Sequence, residues 1–414
     1  MNSLQRTTAL CASLALASLT NLAPAHAQYT IDYLISPYKS GIADSWMFDI
    51  NNQGQSTGYL TVKDANGKFS QDAVIYRNGE VQTVASTPGF KFAAVTYGRA
   101  INDQGDVVGS INRTPTYFSA ATGTATTIDT PGMEYNQIYG INNAGSVLVN
   151  GWDSTVPQGY TENFQIWNNG TSRSLGALNA LYPYTLAPDP NDPFSGISAF
   201  SSSFANTNLA KGDRFAAAVD YSTYDPKDLN NPDDDVVTDS SSAFVFDGVD
   251  NYHLLASPAA GGVIRPINTM DDGSVFGWVG KHLALWNPDG TLREMLPDYE
   301  GGIRLYGYGG YPSVQRNSLG QIVAITDARG IARYDPLTGT WSDVSSTIIG
   351  LGTGIFDSIQ GFNDLGQFVG LVRPPSGGGT FGYVVTAVPE PGAIALLLGV
   401  GVSGMGFVLR RRRA

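Results

Sequence analysis

Few residues of this 414-residue chain are equipped for covalent or acid–base chemistry, and they are scattered. Its histidines are His26, His253 and His282, and its one cysteine is Cys11. Two histidines in separate stretches of the chain body, with no cysteine near them, give none of the ligand spacings of a zinc site. Nucleophilic catalysis has no visible anchor either, because no Gly-x-Ser-x-Gly elbow is present. Glycoside hydrolysis asks for less: two carboxylates about 5–10 Å apart, a separation that sequence spacing does not reveal. Glu80, Glu134, Glu162, Glu294 and Glu300 could supply such a pair, although none sits in a recognisable motif. The densest oxygen-rich stretches are 188–193 and 225–235, the second ending in Asp233-Asp234-Asp235. Clustered carboxylates on a loop can take Ca²⁺. EF-hand spacing is absent, and a solvated acidic loop is the simpler account of both stretches.

The ends of the chain carry sharper signals. Arg6 precedes an apolar run over 9–22, and Ala25-His26-Ala27 places small residues at −3 and −1 before Gln28. That pattern predicts a signal peptide over 1–27, cut by signal peptidase after Ala27. Cys11 lies inside the run behind Leu10, which does not suit a lipobox, so the mature chain is expected to have no cysteine and no disulfide. At the other end, Val388-Pro389-Glu390-Pro391 leads into 392–409, free of charge, and then into Arg410, Arg411, Arg412 and Arg413. Eighteen residues at about 1.5 Å each reach roughly 27 Å, enough for one transmembrane helix through a bilayer core of about 30 Å. The arginines should stay cytoplasmic and the body, residues 28–388, outside.

The order Pro-Glu-Pro, apolar span, arginine cluster resembles the PEP-CTERM tail recognised by exosortases. The resemblance implies a precursor tethered in the inner membrane, removal of the tail, and release to the cell surface or extracellular matrix. A plain single-span anchor is the alternative.

Between the signals, 19 basic residues face 35 acidic ones, a net charge of −16. Such a body disfavours nucleic acid and anionic lipid as partners. Only 14% of the chain is charged and glycine is abundant, a composition that suits a turn-rich all-β protein.

The body is periodic. Ile50-Asn51-Asn52-Gln53-Gly54 recurs as Ile101-Asn102-Asp103-Gln104-Gly105, as Ile141-Asn142-Asn143-Ala144-Gly145, and as Phe362-Asn363-Asp364-Leu365-Gly366. Further copies are read at Asn317, at Asn268 with Gly273, and in degenerate form at Asn206. In each, the asparagine can close an Asx-turn and the glycine supplies positive φ, which makes a tight hairpin. A second hairpin follows at Asn78-Gly79, Asn169-Gly170, Asp247-Gly248, Asp289-Gly290 and Thr338-Gly339. Two hairpins make four strands, the content of one propeller blade, and seven copies predict a seven-bladed β-propeller. The motif resembles HAF-type extracellular repeats, which implies a propeller-like body without naming a ligand. Thr30-Ile31-Asp32 matches Thr127-Ile128-Asp129, so a strand over 29–36 is expected to close blade seven against 381–387 and remove two bare sheet edges.

The expected function is that of an exported, non-catalytic surface or matrix protein holding exopolysaccharide or a surface partner. A secreted glycan-active enzyme with a carboxylate pair is the alternative; ice binding calls for a flat threonine array that irregular repeats do not supply. Long intervals between repeats place insertions at 179–200 and 222–242, where function tends to concentrate. Tyr182, Tyr184, Tyr221, Tyr224 and Asn230 are the candidate sugar contacts there.

Overall fold

A computed structural model describes residues 28–34, 42–63, 66–88, 96–153, 161–177, 199–201, 208–225, 236–258, 262–307, 311–351, 354–373 and 380–388. The fold is an all-β propeller of seven sheets, antiparallel except for one short parallel pair, with a single 3₁₀ turn, Ser345–Thr347, as the helix among the described residues. Blade one shows the plan: Ile42–Ile50, Ser56–Lys63, Phe69–Arg77 and Glu80–Pro88 follow one another outward from the axis. The other inner strands are Tyr97–Ile101, Glu134–Ile141, Ala199–Ser201, Ile264–Thr269, Val314–Arg316 and Ile355–Phe362. No described helix is long and apolar enough to cross a membrane, and the apolar stretch 392–409 lies outside the described residues.

The repeat is legible in the backbone. Its first glycine takes positive φ, 74° at Gly54 and 85° at Gly105, where a side chain would be strained. The Asn-Gly turns have positive φ at both residues, 51° and 86° at Asn78-Gly79, the geometry that matches the twist of a hairpin. A second glycine follows seven residues after the turn asparagine, and here close approach decides. A Cβ on Gly58, Gly109 or Gly370 would run into the carbonyl oxygen of Trp46, Tyr97 or Ser358 on the inner strand. Each lies opposite a register shift in that strand, where an extra residue bends it around the axis.

Blade seven is assembled from both ends of the body. Ile355–Phe362, Phe368–Arg373 and Phe381–Val388 are followed outward by Gln28–Tyr33, which runs antiparallel to the last of them with Gln28 opposite Val388 and Tyr33 opposite Tyr383. The strand is shorter than 29–36, and Leu34 adds one more bond, its N–H donating to the Gly382 carbonyl at 2.9 Å. Outside it lies a piece that the repeat does not announce: Ile348–Ile349 pairs parallel with Tyr29 and Thr30. Tyr29 and Ile31 are buried in a core that includes Val323, Ile331, Phe356 and Tyr383.

Candidate functional site: the asparagine-belted channel

Each repeat asparagine does more than close its own turn. Asn51 Oδ1 accepts the N–H groups of Gln53 (3.0 Å) and Gln55 (2.9 Å), the local role expected from its sequence. Its Nδ2 donates to the Asn102 carbonyl of the next blade at 2.7 Å. Asn102 reaches Asn142 (3.3 Å), Asn142 reaches Ala210 (3.3 Å), Asn317 reaches Asn363 (3.1 Å), and Asn363 returns to Asn51 (2.9 Å). One residue further on, a second belt runs parallel. Asp103 Oδ1 accepts the Asn52 N–H (2.8 Å), Asn143 Oδ1 the Asp103 N–H (2.9 Å), Asp364 Oδ1 the Ser318 N–H (2.9 Å), and Asn52 Oδ1 the Asp364 N–H (2.9 Å). Asp271 Oδ1 takes the Lys211 N–H at 3.1 Å. The first belt consists of buried amide and carbonyl groups satisfied across blade boundaries, a condition that interior polar groups must meet, while the second lies at the solvent-exposed rim.

Two of the repeat assignments are corrected by this geometry. The bond from a turn residue's N–H to the carbonyl four residues on, made by Asn51 to Gln55, is made in blade five by Met270 to Ser274 and in blade four by Ala210 to Arg214. The turn positions are therefore Met270 and Ala210. Asn268 lies two residues too early, and Asn206 lies outside the described residues. The signal was present in the spacing. True copies have glycine three residues after the asparagine, as 51 to 54 and 317 to 320, whereas Asn268 and Gly273 are five apart.

The belts ring a central cavity of about 220 Å³. Asp49 on its wall accepts the N–H groups of Ile50 (2.8 Å) and Ile101 (3.0 Å), so it too joins blade one to blade two. Burial pushes its carboxyl up to about 6, and the two backbone donors and the Arg99 guanidinium pull against that rise. Arg99 lies 5.2 Å from the centroid of the Phe48 ring and 5.8 Å from that of Tyr311. Tyr311, from the connection between blades five and six, meets Trp46 of blade one edge-on at 5.6 Å. These contacts bring the connection between blades five and six against the inner strands of blades one and two.

The sequence-predicted residues fall elsewhere. Tyr221 and Tyr224 lie on Phe215–Asp225, in register with Ser240 and Val237, toward the end of the hairpin away from the belted face. Tyr182, Tyr184, Asn230 and Asp233, Asp234 and Asp235 lie outside the described residues, as do Ala25, Ala27, Pro389, Glu390, Pro391 and Arg410 to Arg413. Among the described residues no group of three His, Cys, Asp or Glu is placed to hold a metal ion. His253 and His282 sit in blades four and five, and His282 Nδ1 contacts Asp298 at 2.9 Å on the surface. In blade three the register aligns Glu134 and Glu162 on either side of Trp152. Two strand spacings put about 10 Å between their Cα atoms.

The geometry defines a seven-bladed β-propeller with a channel girdled by side-chain amides. No known sequence family matches the chain, and no curated protein does. Solved structures similar to it include an oligogalacturonate lyase in complex with manganese, 12% identical over 87% of this chain and 93% of that one, with a TM-score of 0.49. The β-propeller domain of the Trilobed protease from Pyrococcus furiosus is 10% identical over 84% and 96%, with a TM-score of 0.43. YCF48 bound to D1 peptide is 11% identical over 89% and 99%, with a TM-score of 0.42. The likeness is one of fold alone.

Proposed function

We propose that this chain is an exported, non-catalytic propeller that is released to the cell surface or matrix and there binds exopolysaccharide. The observation that carries the reading is the ladder between Gln28 and Val388, the residues at which the two sorting signals end and begin. Signal peptidase cuts after Ala27, and exosortase removes the Pro389-Glu390-Pro391 tail, its 392–409 helix and its arginines from a precursor held in the inner membrane. The strand Gln28–Tyr33 then closes the ring. Mass spectrometry of the secreted protein should find both ends trimmed; a released protein that retains Arg410 to Arg413 refutes the exosortase step. A binding rather than a catalytic role is supported by the channel carboxylates, since Asp49, Asp103 and Asp364 are each engaged by backbone or amide donors.

The row Glu134–Trp152–Glu162 favours a second reading, a glycan-active enzyme, because about 10 Å between Cα atoms is compatible with the carboxyl separations of glycosidases. Reducing-sugar release that disappears in Glu134→Gln and Glu162→Gln decides for it. Its absence from the wild-type protein on the same polysaccharide decides against it.

A further inference from the structure

The belted face carries an apolar patch confined to one sector. Strands within a blade alternate in direction, so the turn joining its third and fourth strands opens on the same face as its belt turn. Two residues past the turn residue, blades one to five have Gln53, Gln104, Ala144, Gly212 and Asp272. Blades six and seven have Leu319 and Leu365 there, 59% and 58% exposed. The residues before them are joined, the Ser318 N–H donating to Asp364 Oδ1 at 2.9 Å, which brings the two leucine turns together across the seam. The outer turn of blade six adds Leu337, 94% exposed. Its neighbour Pro336 lies 3.4 Å from where a Cβ on Gly320 would stand, so this turn packs on the one that holds Leu319. Three exposed leucines on adjoining turns of an acidic body mark a contact surface.

The C-terminal strand leaves the ring beside that patch. Phe381–Val388 runs toward the belted face, and Gln367 Nε2, just past the turn that holds Leu365, donates to Thr386 Oγ1 at 3.1 Å. Val388 ends at the same rim, two residues beyond that bond. Only Pro389, Glu390 and Pro391 separate it from the uncharged stretch 392–409. The four chain steps from Val388 to Gly392, at most about 3.6 Å each, span no more than about 14 Å. The headgroup layer alone takes up about 5–7 Å of that distance. A span at 392–409 therefore holds the turns next to Val388 within reach of the leaflet, and the leucines decide which way the body leans.

We propose that Leu319, Leu337 and Leu365 are the membrane-contacting surface of the precursor, seated in the headgroup layer so that the belted mouth of the channel faces the bilayer until the tail is cut. The proposal rests on the reading of 392–409 as a membrane span and adds which face that span holds down. The test uses the full-length chain in phosphatidylcholine vesicles, with Cys11→Ser so that one added cysteine is unique. A fluorophore is placed at Thr338→Cys beside the patch, or at Asp250→Cys on the exposed outer turn of blade four, across the ring. Spin-labelled lipid should quench the first label about threefold or more over the second. Inserting about twelve Gly and Ser residues after Val388 loosens the tether, and the contrast should persist because the leucines hold the face down. Leu319→Ser with Leu337→Ser and Leu365→Ser should then abolish it, with an unchanged urea midpoint showing that the fold is intact. Equal quenching at both labels, or a contrast that survives the triple variant on the long tether, overturns the surface. So does a precursor that dimerises in detergent with its Thr338 label unquenched by lipid, which assigns the leucines to a second copy. Alkaline extraction is scored separately. A chain that stays in the vesicles without contrast overturns the surface and leaves the anchor standing, whereas a chain that washes out overturns the anchor and the surface together.

Discussion

The seam between blades one and two and the seam between blades five and six are held by opposite means. At the first, the buried apolar cluster is small, with Ile75, Ile101 and Val107 at its centre. The polar bonds are complete: Asn51 to Asn102 at 2.7 Å, Asn52 to Asp103, and Asp49 to Ile101. At the second seam, Met270 has no amide to give, and among the described residues neither belt crosses to Asn317 or Ser318. There the apolar cluster is large, with Ile267, Phe276, Trp278, Leu285, Val314 and Ile322 all buried. The Trp341 indole adds a bond to the Pro297 carbonyl at 2.8 Å. A ring needs every seam to hold, yet not by the same force. Non-directional burial of apolar area replaces a few well-aimed hydrogen bonds.

Four substitutions break or sharpen that contrast. The largest effect is expected from Phe276→Ala, which empties a fully buried site at the apolar seam and should cost about 3–5 kcal/mol in urea unfolding. A loss under about 1 kcal/mol would mean that the large cluster does not hold this seam. Next comes Asn102→Ala at the polar seam. It strands the N–H groups of Gln104 and Asp106 and the Asn142 carbonyl, so about 2–4 kcal/mol should go, with the denaturant slope unchanged. A cost no greater than that of an exposed alanine substitution would reduce the belt to decoration.

The third is Asp49→Asn, which gives blade one the residue that blade four already has in Asn208. Because the folded state raises the Asp49 carboxyl from 3.8 to about 6, its contribution is fully present below pH 4 and is lost as the pH rises through 6. The asparagine variant should therefore show a flatter pH profile between 4 and 6 and gain on the wild type as the pH rises from 4 to 7.5. At pH 4 it should be the less stable of the two by about 1 kcal/mol, because Asp49 accepts the Ile50 and Ile101 N–H groups on separate oxygens and an asparagine turns its NH2 toward one of them. A profile as steep as that of the wild type would show that Asp49 does not carry the pH dependence. The smallest effect is that of Met270→Asn, which supplies the absent donor toward Asn317 at the expense of some apolar contact. A gain of up to about 1 kcal/mol is expected, and a clear loss would show that the seam has committed to its apolar packing.

Blade count was legible in the sequence because asparagine and glycine are required by turn geometry wherever the hairpin recurs, as at Asn51-Gly54 and Asn363-Gly366. The channel was not. Nothing in a local Asx-turn reveals that the amide nitrogen points across to another blade, since the partner carbonyl of Asn51 lies 51 residues away. Blades four and five were misaligned because Asn268 is an asparagine in nearly the right place, and residue type outweighed spacing. Gly277 keeps the correct frame, seven residues beyond Met270, because its Cβ would collide with the Arg265 carbonyl. Ile348–Ile349 left no trace in the pattern, two residues being too few for a strand period.

The corner at which Gln28 faces Val388 also sets how the molecule bears load. Both chain ends leave the ladder at the same point, with six residue pairs stretching away from it. Tension between the two ends peels those pairs one after another, like a zipper, and meets little resistance at any instant. Tension between Val388 and the inner strand of the same blade draws along the strand instead and loads its five pairs with Phe368–Arg373 together, in shear. The same strand is therefore weakly held against a pull on the two ends and strongly held against a pull on one of them.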